Sequence, residues 1–375
     1  MVTRVSSSVS LSRLAWVLVG LMLTACGVRD ASEIVPEGLR IGSNHTVFVA
    51  TSRAEDENGA FGFERSKTLN LLELTVSVPP NHKPGELTYG KPDPATNFVV
   101  AAQEKLNGFD LFRKRISAYL DKQGAPQREI TIFVHGYNTT QNETAFRTAQ
   151  VAEDVRGGGV NVLYSWPSRG AALGYTYDND SMLFARDGLE QLIRETVRIN
   201  AERVVLVAHS LGSALTMEVL RQIEIQEPGW ARRNLGGVIL ISPDLDIEVF
   251  KSQVRRVLQL PEPFIVFVSK FDPALSLSAR LRGEVAQLGN VRTLDGLEDL
   301  PINIVDVSAF SKTAENAHFV PASSPLLLAL LEGGDRMIDT FDRESRSFDS
   351  YLGISPSSGP RAQKVVLRPA DENPR

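Results

Sequence analysis

The segment V-V-L-V-A-H-S-L-G-S at residues 204–213 joins an apolar run to the start of an amphipathic stretch. The run predicts a strand that is buried on both faces, because such strands carry near-continuous Val, Ile and Leu. Residues 211–225 then place apolar side chains at helical spacing. A strand that turns directly into a helix is one unit of an alternating α/β sheet.

The same alternation extends to both sides of this segment. Short apolar runs predict strands, and amphipathic stretches between them predict helices. The predicted strands are 130–134, 160–164, 204–208, 238–241, 264–268 and 302–307. The predicted helices are 142–155, 181–200, 211–225, 247–257, 274–282 and 325–332. This rhythm indicates an α/β fold with a doubly wound, mostly parallel sheet. Upstream, β-type runs at 46–50, 71–78 and 97–101 mark a strand-rich region.

Composition excludes several classes of protein. The 375 residues are 42% hydrophobic and 23% charged, with a net charge of −5, which is typical of a globular protein. Lys and Arg total 40 against 45 Asp and Glu, so we expect no nucleic-acid partner. One cysteine and five histidines leave no internal disulfide and no clustered Cys/His metal site. We expect no metal and no organic cofactor.

The amino terminus has the pattern of a secretory signal peptide. Arg4 and Arg13 precede an apolar run at 14–23 that is about half as long as a membrane-spanning helix. L-T-A-C at 23–26 resembles the bacterial lipobox, which predicts a signal peptide over 1–25 and a lipid anchor on Cys26. Acyl chains there would attach the protein to the bacterial cell envelope, facing the periplasm. Gly27 favours the outer membrane. The alternative is a buried free cysteine near an ordinary cleavage site.

The flanks of the mature chain are predicted to lie outside the folded domain. Residues 26–45 are interpreted as a tether, because the stretch at 30–39 is polar and has no clear period. The folded domain is assigned to 46–335, with 46–101 as its strand-rich part. Residues 343–375 are rich in Ser, Pro and charge, which predicts a disordered tail.

Ser210 is the candidate nucleophile. The sequence A-H-S-L-G at 208–212 approaches the G-x-S-x-G form of a nucleophile elbow, with Ala208 in place of the first glycine. The N–H of Leu211 would open the following helix and point at a developing oxyanion. The alternative is that Ser210 is only a helix N-cap.

A second oxyanion donor is predicted upstream. The strand at 130–134 ends in H-G-Y-N, about 75 residues before the serine, where chains with a nucleophile elbow place their oxyanion loop. The N–H of Tyr137 would complement that of Leu211. His135 would shape this loop, although it is equally well explained as a turn histidine that bonds to the backbone.

The general base is identified by elimination. Chains with this elbow order their catalytic residues as nucleophile, acid and histidine, and His318 is the only histidine after Ser210. The acid has several candidates. Asp272 follows the strand at 264–268 and ranks first. Asp244 and Asp246 follow the preceding strand and remain open, with helix capping as their alternative. Asp306 lies inside the last strand and is weaker.

The chain resembles the α/β-hydrolase superfamily and, within it, a bacterial subgroup of largely uncharacterised esterase-like proteins. The motifs that carry the resemblance are V-F-V-A-T-S-R at 47–53, F-G-F-E-R-S at 61–66, V-S-V-P-P-N-H-K-P-G at 76–85, F-V-H-G-Y-N at 133–138, Y-S-W-P-S-R-G at 164–170, V-A-H-S-L-G at 207–212, I-S-P-D-L-D at 241–246 and S-K-F-D-P-A-L at 269–275. The resemblance implies a Ser210–Asp272–His318 triad that acts on an ester-like bond. It also implies that residues 46–101 extend the same sheet.

Three functions fit this reading of the sequence. The first is a lipid-anchored serine hydrolase that cleaves carboxylic esters through an acyl-enzyme, with a small-molecule or lipid ester as substrate. The second is an inactive hydrolase-fold lipoprotein that serves as an envelope binding or assembly module. The third is a thioesterase or peptidase with the same triad. The loop at 168–180 is either a cover over the site or an ordinary polar connection.

Overall fold

The computed structural model describes residues 33–123, 128–155, 159–257, 259–281, 287–294, 296–311, 318–324 and 362–367. The strands within these ranges are Ser43–Glu55 (β1), Phe61–Val78 (β2), Val99–Lys105 (β3), Glu129–Val134 (β4), Val160–Ser165 (β5), Arg203–His209 (β6), Gly237–Ile241 (β7), Phe264–Val268 (β8), Asn303–Asp306 (β9) and Gln363–Val366 (β10). The helices are Gly38–Ile41 (α1), Gly108–Gln123 (α2), Gln141–Val155 (α3), Tyr175–Phe184 (α4), Arg186–Thr196 (α5), Leu211–Gln226 (α6), Trp230–Asn234 (α7), Ile247–Arg256 (α8), Pro273–Leu281 (α9) and Val320–Ser323 (α10).

These strands form one sheet in the order β10-β9-β8-β7-β6-β4-β5-β1-β2-β3. The pairs from β10 to β1 are all parallel, whereas β2 and β3 are antiparallel. β1 pairs directly with β5, so the strand-rich region continues the same sheet, as the resemblance implied. The predicted fold class, a doubly wound and mostly parallel α/β sheet, is confirmed.

Burial on both faces explains why the central strands are apolar throughout. All five residues of β8 are buried. Phe264, Val266 and Val268 pack into a core that contains side chains of α2, α5, α6 and α8. Ile265 and Phe267 point the other way, into a second cluster with residues of α10. Alternate side chains therefore enter different cores, which is the reason that the sequence has no polar alternation here.

The single helix predicted over 181–200 is wrong. The chain forms two helices, α4 and α5, and α4 begins at Tyr175, inside the stretch predicted to be a loop. The break lies at Ala185, whose carbonyl oxygen accepts a hydrogen bond from the Tyr164 hydroxyl at 2.7 Å. Gly188 lies against the same hydroxyl, since a Cβ at this position would come within 2.5 Å of it. A buried tyrosine from β5 thus sets the junction, and periodicity does not reveal it.

The tether prediction is wrong for its described part. Val35 is buried and its N–H donates to the carbonyl oxygen of Val100 at 2.8 Å, while β1 already begins at Ser43. Gly38 packs closely on Ser77, because a Cβ at Gly38 would lie 2.9 Å from that of Ser77. This approach holds α1 against the edge of the sheet, so residues 33–45 belong to the folded domain.

The prediction of a disordered tail is wrong for Gln363–Val366. These residues form β10, which pairs in parallel with β9, and Lys364 Nζ lies 3.1 Å from Asp306 Oδ2. The parallel pairing with β9 and the ion pair with the buried Asp306 carboxylate attach this short strand to the sheet. The predicted signal peptide, Cys26, the predicted helix at 325–332 and the rest of the tail lie outside the described residues. In the part of the chain that is described, no helix is both long and apolar enough to span a bilayer.

Candidate active site

The candidate site lies at the carboxyl ends of the parallel strands, where loops from several strands meet. Ser210 follows β6, Asp272 follows β8, and His318 lies beyond β9. Ser210 and His318 line one small cavity of about 40 Å³. The other residues that line it are Tyr137, Tyr175, Asp244, Ala274, Leu275 and Ser278.

Ser210 has the strained backbone of a nucleophile elbow. Its φ of 52° and ψ of −123° lie in a region that L-residues rarely occupy. Two glycines permit the sharp turn. A Cβ at Gly212 would lie 2.3 Å from the carbonyl oxygen of His135, and one at Gly136 would lie 2.8 Å from Ser210 Cβ. The small residues of the motif are therefore required by the close approach of the β4 and β6 loops.

The structure brings His318 and Asp272 together. His318 Nδ1 lies 2.7 Å from Asp272 Oδ2, and the carboxylate is buried. Asp272 Oδ1 accepts the N–H groups of Ala274 at 3.0 Å and Leu275 at 3.1 Å, at the start of α9. Because a carboxylate accepts at Nδ1, neutral His318 carries its proton there. This tautomer leaves Nε2 as a proton acceptor.

A second histidine, His209, contacts both the ring and the main chain of His318. His209 is partly buried, and its ring centroid lies 4.6 Å from that of His318. Burial, followed by the charge of His318, lowers the pKa of His209 well below its ordinary value. Its Nε2–H donates to the main-chain carbonyl oxygen of His318 at 3.1 Å. Neutral His209 thus holds the backbone of the neighbouring histidine.

Two main-chain N–H groups, those of Leu211 and Tyr137, belong to residues next to Ser210 in sequence or in the cavity. Leu211 is the first residue of α6, and Tyr137 follows the close contact between Gly136 and the elbow. Among the described residues, neither the Leu211 N–H nor the Tyr137 N–H has a hydrogen-bond acceptor. Unpaired N–H groups at a helix start and a neighbouring turn are suited to bind an oxyanion.

His135 lies in the loop after β4, where its ring contacts Trp166 and main-chain carbonyl groups. Its ring stacks on Trp166 at 4.8 Å, and its two nitrogens lie 2.8 Å from the Gly136 carbonyl oxygen and 3.1 Å from that of Trp166. Burial, reinforced by the positive charge of Arg53, lowers the pKa of His135 to about 3. These main-chain contacts fit both sequence interpretations of His135, as a loop-shaping residue and as a turn histidine that bonds to the backbone.

The other candidate acids contact different partners. Asp244 Oδ2 accepts from the Tyr175 hydroxyl at 2.8 Å, and its Oδ1 accepts from Ser278 at 3.0 Å. It also lines the cavity. Asp246 caps α8, accepting the N–H of Val249 at 2.9 Å. Asp306 Oδ2 lies 3.2 Å from Lys270 Nζ, at the β10 side of the sheet. The carboxylate hydrogen-bonded to the His318 ring is that of Asp272.

A buried charge network beside the loop after β4 was not predicted from the sequence. Arg53, at the end of V-F-V-A-T-S-R, is 1% exposed. Its guanidinium donates to the Thr139 carbonyl oxygen at 2.8 Å, the Ser165 hydroxyl at 2.9 Å and the Ser168 carbonyl oxygen at 2.9 Å. One arginine thereby ties β1 to the loops that follow β4 and β5.

Asp178 completes this network. Its carboxylate accepts the N–H of Asn138 at 3.1 Å, the N–H of Arg169 at 2.7 Å and the Ser168 hydroxyl at 2.6 Å. Burial raises the pKa of Asp178, opposed by these hydrogen bonds and by Arg53. Asn138 is the residue next to Tyr137, so the network fixes the backbone that presents the Tyr137 N–H. Arg53 and Ser168 lie within motifs of the resemblance, and that was the one available signal.

Within the described ranges, no three His, Cys, Asp or Glu side chains are grouped so that they could hold a metal ion.

Solved structures whose overall fold is similar to this one include several hydrolases. Dienelactone hydrolase from Anabaena variabilis is 11% identical, with 75% of this chain and 96% of that one covered and a TM-score of 0.37. EstE1, a thermostable carboxylesterase cloned from a metagenomic library, is 11% identical, covering 89% and 99%, with a TM-score of 0.32. A bacterial heroin esterase is 12% identical, covering 78% and 71%, with a TM-score of 0.27. At these values no substrate is inferred from them.

Sequence comparison is more direct. No curated protein matches the chain. A family model matches residues 111–334, which is more than half of the chain and includes Ser210, Asp272 and His318. The chain therefore belongs to the family described as "Alpha/beta hydrolase of unknown function (DUF900)".

Proposed function

We propose that this chain is a serine hydrolase that cleaves carboxylic esters through an acyl-enzyme intermediate. The observation that carries the proposal is the convergence of three groups from separate strands. Ser210 and His318 share one cavity, and His318 Nδ1 lies 2.7 Å from the buried Asp272 carboxylate. A scaffold protein needs neither the strained serine nor a paired histidine beside it.

Each group has one role in the proposed reaction. Ser210 Oγ attacks the ester carbonyl carbon while His318 Nε2 takes its proton, and Asp272 stabilises the imidazolium that forms. The Leu211 and Tyr137 N–H groups bind the oxygen as it becomes negative. His318 then returns the proton to the leaving alkoxide, and the acyl group remains on Ser210. Water attacks that ester in a second step with the same histidine as base.

The cavity sets what the acyl pocket accepts. At about 40 Å³, with two tyrosines and the Asp244 carboxylate among its lining residues, it suits a short, uncharged acyl group. A carboxylate on the substrate would lie near Asp244 in a site with little water, and like charges repel strongly there. We therefore expect acetyl and propionyl esters to be better substrates than long-chain or anionic ones.

Ester hydrolysis by purified protein tests the proposal. A series of p-nitrophenyl esters of increasing chain length should be cleaved with a preference for short acyl groups. Ser210→Ala and His318→Ala should each reduce kcat by about 10³-fold or more, with similar losses because the two residues act as a unit. Ser213→Ala, a buried hydroxyl in the same helix, is the matched control and should stay active. Wild-type protein that is folded and cleaves none of the esters would overturn the proposal.

We further propose that Cys26 is lipid-modified and anchors the protein in the bacterial envelope, facing the periplasm. The support is the lipobox-like L-T-A-C at 23–26 after a short apolar run. Cys26→Ala should abolish incorporation of labelled palmitate and release the protein from the membrane fraction. Retention of the label by that variant would contradict the anchor while leaving the hydrolase proposal intact.

A further inference from the structure

A row of alternating aromatic and guanidinium side chains lies beside the candidate site. Arg65 Cζ is 4.7 Å from the ring centroid of Tyr177 and 5.8 Å from that of Phe184. Arg169 Cζ is 5.6 Å from Tyr177 and 5.0 Å from Phe63. The order is therefore Phe184, Arg65, Tyr177, Arg169, Phe63, and we call these five residues the arginine–aromatic row. It joins β2, α4 and the loop between β5 and α4.

The guanidinium groups of the two arginines in the row form no ion pair within the described ranges. The main-chain N–H of Arg169 donates to the buried Asp178 carboxylate, but neither guanidinium lies within 4 Å of an acidic oxygen there, whereas that of Arg115 pairs with both Glu73 and Glu104. Arg65 bonds only to neutral groups, Ser181 Oγ and the Tyr177 carbonyl oxygen. Both arginines are exposed, so their charges face solvent. Stacking between rings holds each guanidinium plane in place and leaves its edge able to bind an anion.

The acidic residues near the row do not neutralise it. Glu64 on β2 and Asp180 on α4 are exposed neighbours in sequence, and neither pairs with Arg65 or Arg169 among the described residues. Lys67 adds a further exposed cation on β2. The face is therefore weakly cationic on a chain whose net charge is −5.

Large apolar side chains are exposed on the segments that carry the row. Leu173 is fully exposed at the tip of the loop that carries Arg169. Gly174 packs under Arg169, since a Cβ there would lie 2.8 Å from that of the arginine. Leu183, 46% exposed, and Phe184, 37% exposed, end α4 beside Arg65. Aliphatic and aromatic side chains among cations form the pattern of a surface that lies at a bilayer interface.

This face is connected to the cavity by one short segment. The loop that carries Arg169 and Leu173 leads directly into Tyr175, which lines the cavity with Ser210. The Tyr137 hydroxyl donates to the carbonyl oxygen of Ala172 in the same loop. A binding partner that contacts this loop would therefore lie beside the candidate active site.

We propose that the face formed by the arginine–aromatic row, Leu173 and Leu183 docks onto a bilayer that contains anionic phospholipid. The Arg65 and Arg169 guanidinium groups bind headgroup phosphates, and Leu173 enters the boundary with the acyl chains. The exposed leucines favour a bilayer over a free phosphate ion, because a soluble anion gains nothing from them. The inference stands independently of the proposed reaction and of a lipid anchor on Cys26.

Fluorescence quenching by brominated lipid tests the docking directly. The full-length chain with Leu173→Trp is reconstituted with phosphatidylcholine vesicles, with and without phosphatidylglycerol, and the signal of the wild-type chain is subtracted. The indole introduced at position 173 should be quenched strongly only when phosphatidylglycerol is present. Val249→Trp places the same probe at an exposed position on α8, outside the face, and should show little quenching in either vesicle.

Charge variants identify the groups responsible. Adding Arg65→Gln and Arg169→Gln should lower the docking equilibrium roughly 30-fold, about fivefold for each cation near the surface. Arg255→Gln with Arg256→Gln removes the same charge from α8 and should change nothing. Thermal unfolding midpoints that match the parent chain show that the variants are folded. Quenching that is independent of phosphatidylglycerol, or unchanged by the two row substitutions, would overturn the proposal.

Discussion

The loops after β7 and β8 begin alike and have different environments. Each leaves a buried parallel strand through a serine, and each buries an aspartate a few residues later. Asp272 is held by the first N–H groups of α9 and faces an imidazole at 2.7 Å. Asp244 is held by the hydroxyls of Tyr175 and Ser278 and faces the cavity.

The contrast shows that position at a strand end does not by itself define a triad acid. Both loops satisfy the rule that functional groups lie at the carboxyl edge of the sheet. The partner decides the role, because only an aspartate against Nδ1 of the histidine fixes its tautomer. An aspartate among hydroxyls shapes what can enter the cavity instead.

The largest effect should come from removing the charge of Asp272. We expect Asp272→Asn to lower kcat by about 10³ to 10⁴-fold with little change in KM, because the amide no longer stabilises the imidazolium. Steady-state hydrolysis of p-nitrophenyl acetate measures both constants. A loss of less than tenfold would mean that the two loops do not differ in the proposed way.

A second substitution tests the buried network that joins β1 to the loops after β4 and β5. Arg53→Gln leaves the carbonyl oxygens of Gly62, Thr139 and Ser168 without their buried donor, and leaves Asp178 without its nearby cation. We expect the free energy of unfolding to fall by about 3–5 kcal/mol, as when a buried charge loses its partner. Urea denaturation measures this change. Arg255→Gln on the surface of α8 is the control, and equal effects of the two substitutions would contradict the account.

Two histidines near the candidate site should make the stability of the protein depend on pH. Burial lowers the pKa of both His209 and His135, so on unfolding each takes up a proton below about pH 6.5. The stability that neutral burial preserves is thus present above that pH and is lost as the pH falls toward the folded-state pKa. Each histidine should lower the free energy of unfolding by about 1.4 kcal/mol per pH unit between pH 6 and 5.

The His209→Gln variant isolates one of these two contributions. Its free energy of unfolding, measured by urea denaturation at pH 7, 6 and 5, should fall less steeply with decreasing pH than that of the wild type. The slopes should differ by the uptake of one proton, about 1.4 kcal/mol per pH unit. Parallel slopes for the two proteins would show that His209 is not kept neutral in the folded state.

The smallest effect concerns selectivity. Asp244→Asn keeps one acceptor for the Tyr175 and Ser278 hydroxyls and removes the negative charge from the cavity. We expect kcat/KM for neutral acetyl esters to change by less than tenfold, while the ratio of succinyl to butyryl monoester hydrolysis rises about tenfold. Asp246→Asn, at the cap of α8, is the control and should leave the ratio unchanged. If Asp244→Asn leaves the selectivity ratio unchanged, Asp244 does not contact the acyl group of the substrate.

Most of the parallel sheet was predictable because burial on both faces leaves its signature within each strand. The run at 264–268 is both the predicted and the observed strand, and α6 begins at Leu211 as predicted. Edges were harder to predict. β10 relies on backbone pairing with β9 and on Lys364 reaching Asp306 in that strand some 60 residues earlier, so its own composition indicates disorder.

The candidate site was predictable only in its local parts. The glycines around Ser210 and the order along the chain identify a nucleophile and a base from nearby residues. Arg53 could not be recognised as buried, because its acceptors come from segments up to 115 residues away. Tyr175 meets Asp244 across 69 residues for the same reason. The sequence therefore ranked the aspartates, and the contact with His318 distinguishes them.

Covalent labelling with a fluorophosphonate, followed by peptide mapping, tests the central claim most directly. We predict one adduct, on Ser210, which forms rapidly in the wild type and in Asp244→Asn, at least a hundredfold more slowly in Asp272→Asn, and not at all in Ser210→Ala. Equal labelling of Asp272→Asn and wild type, or an adduct on another residue of folded protein, would contradict the account.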